Sequence, residues 1–101
     1  MLVGKRISVI IPAYNEVERL PKVLGRIPDF VDEITVVDDG STDGTYEVVK
    51  EFSKKDARIK VVRLEKNCGK GCAMHEGIKH STGDIVVFYG RGRPAQARGD
   101  S

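Results

Sequence analysis

The chain has 101 residues, enough for one small domain and too few for two. Its formal charge of +2 comes from 17 Lys and Arg against 15 Asp and Glu; up to Tyr89 each sign counts 14, so the surplus lies wholly in residues 90–101. A neutral body argues against a nucleic-acid binder, which needs a basic face, and 40% hydrophobic with 32% charged residues argues against a disordered chain.

Residues 6–11, Arg-Ile-Ser-Val-Ile-Ile, form a near-continuous apolar run that ends at Pro12. Such runs predict strands covered on both faces, as in a parallel sheet. A polar turn leads to a helix over 20–27, with Pro21 tolerated in its first turn and Pro28 closing it. A second strand is expected over 33–37, followed by the loop Asp38-Asp-Gly-Ser-Thr-Asp-Gly44. Asp43 or Thr42 can cap the next helix, over 44–54, whose buried face is Thr45, Val48, Val49 and Phe52 at i, i+3, i+4, i+7.

A third strand is expected over 58–63, a loop over 65–69 and a third helix over 70–80. Ala73 and Gly77 give that helix a small-residue face for close packing on the sheet. Gly83 stops it, and residues 84–89 form strand four. The order βαβαβαβ predicts an α/β fold, a Rossmann-like parallel sheet with helices on both faces. No internal repeat is present. Residues 90–101 have no aliphatic side chain larger than Ala and no periodicity, so two regions are expected: a domain over 1–89 and a disordered basic tail over 90–101. The final Arg98-Gly-Asp-Ser101 spells an integrin-recognition tetrapeptide, read here as chance.

The longest apolar run is about five residues, against the ~20 needed to span a bilayer. The N-terminus has no apolar core of a signal peptide, which points to the cytoplasm. Cys68 and Cys72 are read as small, half-buried thiols beside a helix start rather than as metal ligands with His75. His75 and His80 are read as surface helix residues.

Ligands bind open α/β sheets outside the carboxyl ends of the strands. Three polar loops are expected at those ends: Pro12-Ala-Tyr-Asn-Glu16, Asp38-Asp-Gly-Ser-Thr-Asp43 and Asn67-Cys-Gly-Lys-Gly71. The first lacks the glycines of a dinucleotide fingerprint, and the third is not a P-loop. What is left is a nucleotide site built from carboxylates and one helix start. Asp38 or Asp39 suits a base edge, because a carboxylate accepts hydrogen bonds and cannot donate them; uracil and guanine are favoured over cytosine and adenine. Lys70 and the helix that begins there suit anionic groups.

These loops, with Gly77 and Ser81-Thr-Gly-Asp84 before strand four, resemble family 2 glycosyltransferases of the GT-A fold, and most of all polyprenol-phosphate (dolichyl-phosphate) mannose or glucose synthases. The resemblance covers residues 6–89. It implies the N-terminal, nucleotide-binding half of that fold. It further implies transfer of a sugar, with inversion, from GDP-mannose or UDP-glucose to a lipid phosphate, at the cytoplasmic face of a membrane. Carried over by position, Pro12, Ala13, Tyr14 and Glu16 line the nucleoside pocket. Asp38 binds the base with Asp39 beside it, and Lys70 edges the pocket. No catalytic residue is assigned.

The resemblance also implies an Asp-x-Asp motif after strand four, whose carboxylates hold Mg²⁺ or Mn²⁺ and through it the diphosphate. Gly90, Arg91 and Gly92 stand there instead, so the metal ligands are absent and this chain is expected to be inactive alone. Either Arg91 replaces the metal as a phosphate clamp, or the stretch after Tyr89 has left its ancestral reading frame. Two other functions stay open: a non-catalytic nucleotide-binding module, and a fragment that self-associates through the open edge of strand four as a homodimer.

Overall fold

The computed structural model of the protein describes residues 4–65, 70–90 and 93–94. Four strands, β1 (Ile7–Ala13), β2 (Glu33–Asp38), β3 (Ile59–Arg63) and β4 (Ile85–Gly90), pair in parallel. A two-residue strand β5 (Arg93–Pro94) adds antiparallel to the end of β4, through Tyr89↔Pro94 and Gly90↔Arg93. The sheet order is β3-β2-β1-β4-β5.

The sequence reading gave residues 90–101 no element, and β5 falls within them. A two-residue ladder has no hydrophobic period to read. The remaining tail residues, Arg91 and Gly92 among them, lie outside the described residues. β1 also runs two residues further than expected, through Pro12. The β1–β4 ladder ends at Ile10, so Pro12 lies where β1 has one partner strand and the missing N–H is tolerated.

Strand side chains alternate between two cores. Ile7, Val9, Ile11 and Ala13 of β1 face α1 (Leu20–Leu24) and α2 (Thr45–Lys55), with Ile34 and Val36 of β2 beside them. Ile10 and Val37 face α3 (Lys70–Lys79) and its Ala73 on the other side. Helices therefore cover both faces, as expected. α1 is shorter than its pattern suggests: it ends at Gly25, and Ile27 is buried from the turn that follows. The N-cap of α2 is Gly44, in the left-handed region at φ 96°, rather than Asp43 or Thr42. Asp43 acts one residue earlier and accepts the Thr45 N–H at 3.0 Å.

The end of the sheet where the parallel strands begin is closed by a polar knot. Glu33 accepts the Ser8 hydroxyl at 2.6 Å and the Thr82 N–H at 2.9 Å, and pairs with Lys60 Nζ at 2.8 Å. The Gly83 N–H donates to Ser8 Oγ at 2.9 Å, and a Cβ at Gly83 would lie 2.3 Å from that oxygen. Burial acts to raise the Glu33 carboxyl, but the hydrogen bonds from Lys60, Ser8 and Thr82 outweigh it and bring it to about 2.

Candidate functional site

Ala13, Asp38 and Arg63 are register partners at the carboxyl ends of β1, β2 and β3. The loops leaving β1 and β2 are zipped together there. The Asn15 N–H donates to Ser41 Oγ at 2.8 Å, and the Thr42 N–H donates to Asn15 Oδ1 at 2.9 Å. Asn15 holds φ 51°, a conformation its short polar side chain tolerates. The Glu16 N–H donates to Thr45 Oγ1 at 2.9 Å, and the Val17 N–H to Asp43 Oδ2 at 3.2 Å. The Thr45 hydroxyl in turn donates to Asp43. Partial desolvation acts to raise the Asp43 carboxyl, but the Thr45 hydroxyl and the Val17 and Thr45 N–H groups outweigh it and lower it.

The structure thus brings two of the three expected loops to one edge. Ala13 is buried, Pro12 and Glu16 are half-buried, and Tyr14 is exposed. Glu16 Oε1 pairs with Arg19 Nη1 at 2.7 Å. Asp38 has no exposed surface: Oδ1 accepts the Ser41 N–H at 3.1 Å, and Oδ2 is buried with no hydrogen-bond partner among the described residues. Asp39 is also buried, and its N–H donates to Ala13 O at 2.8 Å. The third loop, residues 66–69, and the Lys70 side chain lie outside the described residues; the backbone of Lys70 does open α3.

Sequence reasoning missed Arg63. Its Nε stands 3.8 Å from Asp38 Oδ2, and its guanidinium lies 4.6 Å from the centroid of the Tyr46 ring. Lys50 sits over the same ring at 5.6 Å. The signal existed in the sequence as the last residue of a strand next to the Asp38 strand, but only the register makes them neighbours.

Among the described residues, no three His, Cys, Asp or Glu side chains gather to hold a metal ion. His75 and His80 are exposed, as expected. Cys72 corrects the reading of it as a half-buried thiol: it is exposed and disulfide-bonded. Cys68 lies outside the described residues. No helix among the described residues is long and apolar enough to cross a membrane.

Known proteins match the chain in sequence and in fold. The model of a family described as glycosyl transferase family 2 matches residues 8–90. The dolichyl-phosphate beta-glucosyltransferase of Homo sapiens is 38% identical over 97 residues, which cover 83% of this chain and 30% of that protein. A mannosyltransferase from Pyrobaculum calidifontis, solved with GDP-Man and Mn²⁺, superposes with a TM-score of 0.78 at 33% identity, over 84% of this chain and 27% of that one. Glucosyl-3-phosphoglycerate synthase from Mycobacterium tuberculosis, solved with UDP, superposes with a TM-score of 0.71 at 35% identity, over 83% of this chain and 32% of that one. The chain spans less than a third of the length of these proteins.

Proposed function

The chain belongs to glycosyl transferase family 2 and has the α/β sheet of the GT-A transferases, and from that premise we propose that it forms the nucleotide-sugar-binding half of a polyprenol-phosphate sugar transferase. The donor is GDP-mannose or UDP-glucose. The acceptor is a polyprenol or dolichyl phosphate at the cytoplasmic face of a membrane, and transfer inverts the sugar. The dolichyl-phosphate acceptor named for the human relative and the nucleotides bound in the similar structures support this reading.

The observation that carries it is Asp38. A buried carboxylate oxygen at a strand end, with no hydrogen-bond donor among the described residues, sits where open sheets take their ligands. Pro12, Ala13, Tyr14 and Glu16 line the nucleoside side of the pocket. Asp38 takes the base with Asp39 beside it, and Lys70 edges the pocket. The zipped loops hold the first two groups in place before a nucleotide arrives, so binding costs little ordering.

In the family, a divalent metal offsets the charge of the leaving diphosphate. We infer that the residues of this chain do not fit that ion: Gly90, Arg91 and Gly92 carry no carboxylate, and no cluster of acids gathers among the described residues. We infer that residues 1–89 bind nucleotide while the chain alone does not transfer sugar. Titration calorimetry with UDP, GDP and ADP, with and without Mn²⁺, tests this. Binding of UDP or GDP without dependence on Mn²⁺ is the expected result. No binding of either would sink the reading, and Mn²⁺-dependent sugar transfer would overturn the metal argument.

A second reading concerns assembly. Among the described residues, the outer edge of β4 from Ile85 to Phe88 has no partner strand, and Ile85 is exposed. An open apolar edge invites pairing, so we infer a homodimer through β4. Light scattering that returned a monodisperse monomer would refute it.

A further inference from the structure

Asp38 and Arg63 are paired residues of neighbouring strands, so their side chains leave the sheet on the same face. Arg63 Nε is 3.8 Å from Asp38 Oδ2, which is inside ion-pair range and outside hydrogen-bond range. The Tyr46 ring, 4.6 Å below the guanidinium, supports it by a cation–π contact. The Arg63 side chain is half exposed, whereas Asp38 has no exposed surface.

We propose that Arg63 is the positioning residue of the base-reading carboxylate: it balances the Asp38 charge without occupying Oδ2, which stays an acceptor for the ring N–H of uracil or guanine. The inference rests on the nucleotide-binding reading above. A buried carboxylate without a counter-charge is costly. A guanidinium hydrogen-bonded to Oδ2 would compete with a base for that oxygen. At 3.8 Å Arg63 supplies the counter-charge and leaves Oδ2 free to accept a hydrogen bond. Selection follows from the chemistry: uracil and guanine bring a donor to Oδ2, whereas cytosine and adenine bring a lone pair that faces it repulsively.

The test is calorimetric titration with UDP, CDP, GDP and ADP, using the whole chain and its Arg63→Met, Arg63→Lys and Tyr46→Leu variants, each checked for folding by circular dichroism. The readout is the affinity ratio within each pair, UDP to CDP and GDP to ADP. The shared diphosphate cancels, and a merely structural role would leave the ratio unchanged. The unmodified chain is expected to prefer its N–H-bearing base by about tenfold or more, as a site built around a donor should. Arg63→Met is expected to cut that ratio to about threefold or less, and Arg63→Lys to restore most of it. Tyr46→Leu is expected to lower it as well, because Arg63 loses its support. A folded Arg63→Met that keeps the full ratio overturns the assignment and leaves nucleotide binding standing. If Arg63→Met does not fold, an unchanged ratio in Tyr46→Leu overturns it. No nucleotide bound by the unmodified chain overturns the assignment and the reading beneath it together.

Discussion

Gly77 of α3 lies against Ile10 of β1 at a distance no side chain could share: a Cβ built on Gly77 would fall 2.4 Å from Ile10 Cγ2. Val37 Cγ2 would be 3.2 Å away, so two branched side chains of the central strands press on this one point. The contact sets the height of α3 over the sheet, and with it the position from which α3 begins near the ligand edge.

Gly77→Ala should therefore destabilise the domain. Ile10 is fully buried and branched at Cβ, so it has little room to turn aside. Overpacking of this kind costs about 1–3 kcal/mol. Urea denaturation should show a lowered midpoint at unchanged slope, and a variant as stable as the parent would contradict the packing argument.

The Glu33 knot makes stability depend on pH. The carboxyl is lowered from 4.5 to about 2 in the folded chain, so its contribution is complete above about 4.5 and is lost as the pH falls toward 2. Glu33→Gln should be less stable by about 2 kcal/mol at neutral pH, with the gap to the parent closing as the solution is acidified. Thermal unfolding of both chains between pH 7 and pH 2 measures this; parallel curves would remove Glu33 from the account.

The four parallel strands and the small-residue face of α3 were legible because their signals are local. A continuous apolar run, or a Gly and an Ala four residues apart, can be read without knowing what lies opposite. The Glu33 knot was not legible, since its partners Ser8, Lys60 and Thr82 come from three distant parts of the chain. Arg63 was hidden for the same reason: it becomes part of the site only through the β2–β3 register. The zipped loops fall between these cases. Asn15, Ser41, Asp43 and Thr45 are plainly turn residues in the sequence, but which hydrogen-bonds which depends on Ala13 and Asp38 ending side by side.

Asp38→Asn should change which base is bound. The amide keeps an oxygen for the Ser41 N–H and places a donor where Oδ2 now lies. Affinity for UDP should fall by about tenfold, which corresponds to about 1.4 kcal/mol, while affinity for CDP holds or rises. Competition titrations with the two nucleotides report the change directly, and an unaltered preference would move the base contact away from Asp38.

Thr45→Val tests whether the loop zipper prepares the site. The Thr45 side chain is fully buried and its hydroxyl serves two partners, accepting from the Glu16 N–H and donating to Asp43. Valine keeps the shape of the side chain and removes both bonds, so the Glu16 N–H and one Asp43 oxygen lose a partner. Loss of a buried partner costs about 1–3 kcal/mol. Glu16 also helps to line the proposed nucleoside pocket, so the variant should bind UDP or GDP more weakly as well as unfold sooner. The two effects separate by temperature. At 10 °C, where the variant stays folded, the stability loss no longer affects the population of folded chain, and any weakening that persists comes from a loosened loop. Equal affinity of variant and parent under that condition would mean that the zipper stabilises the fold without preparing the pocket.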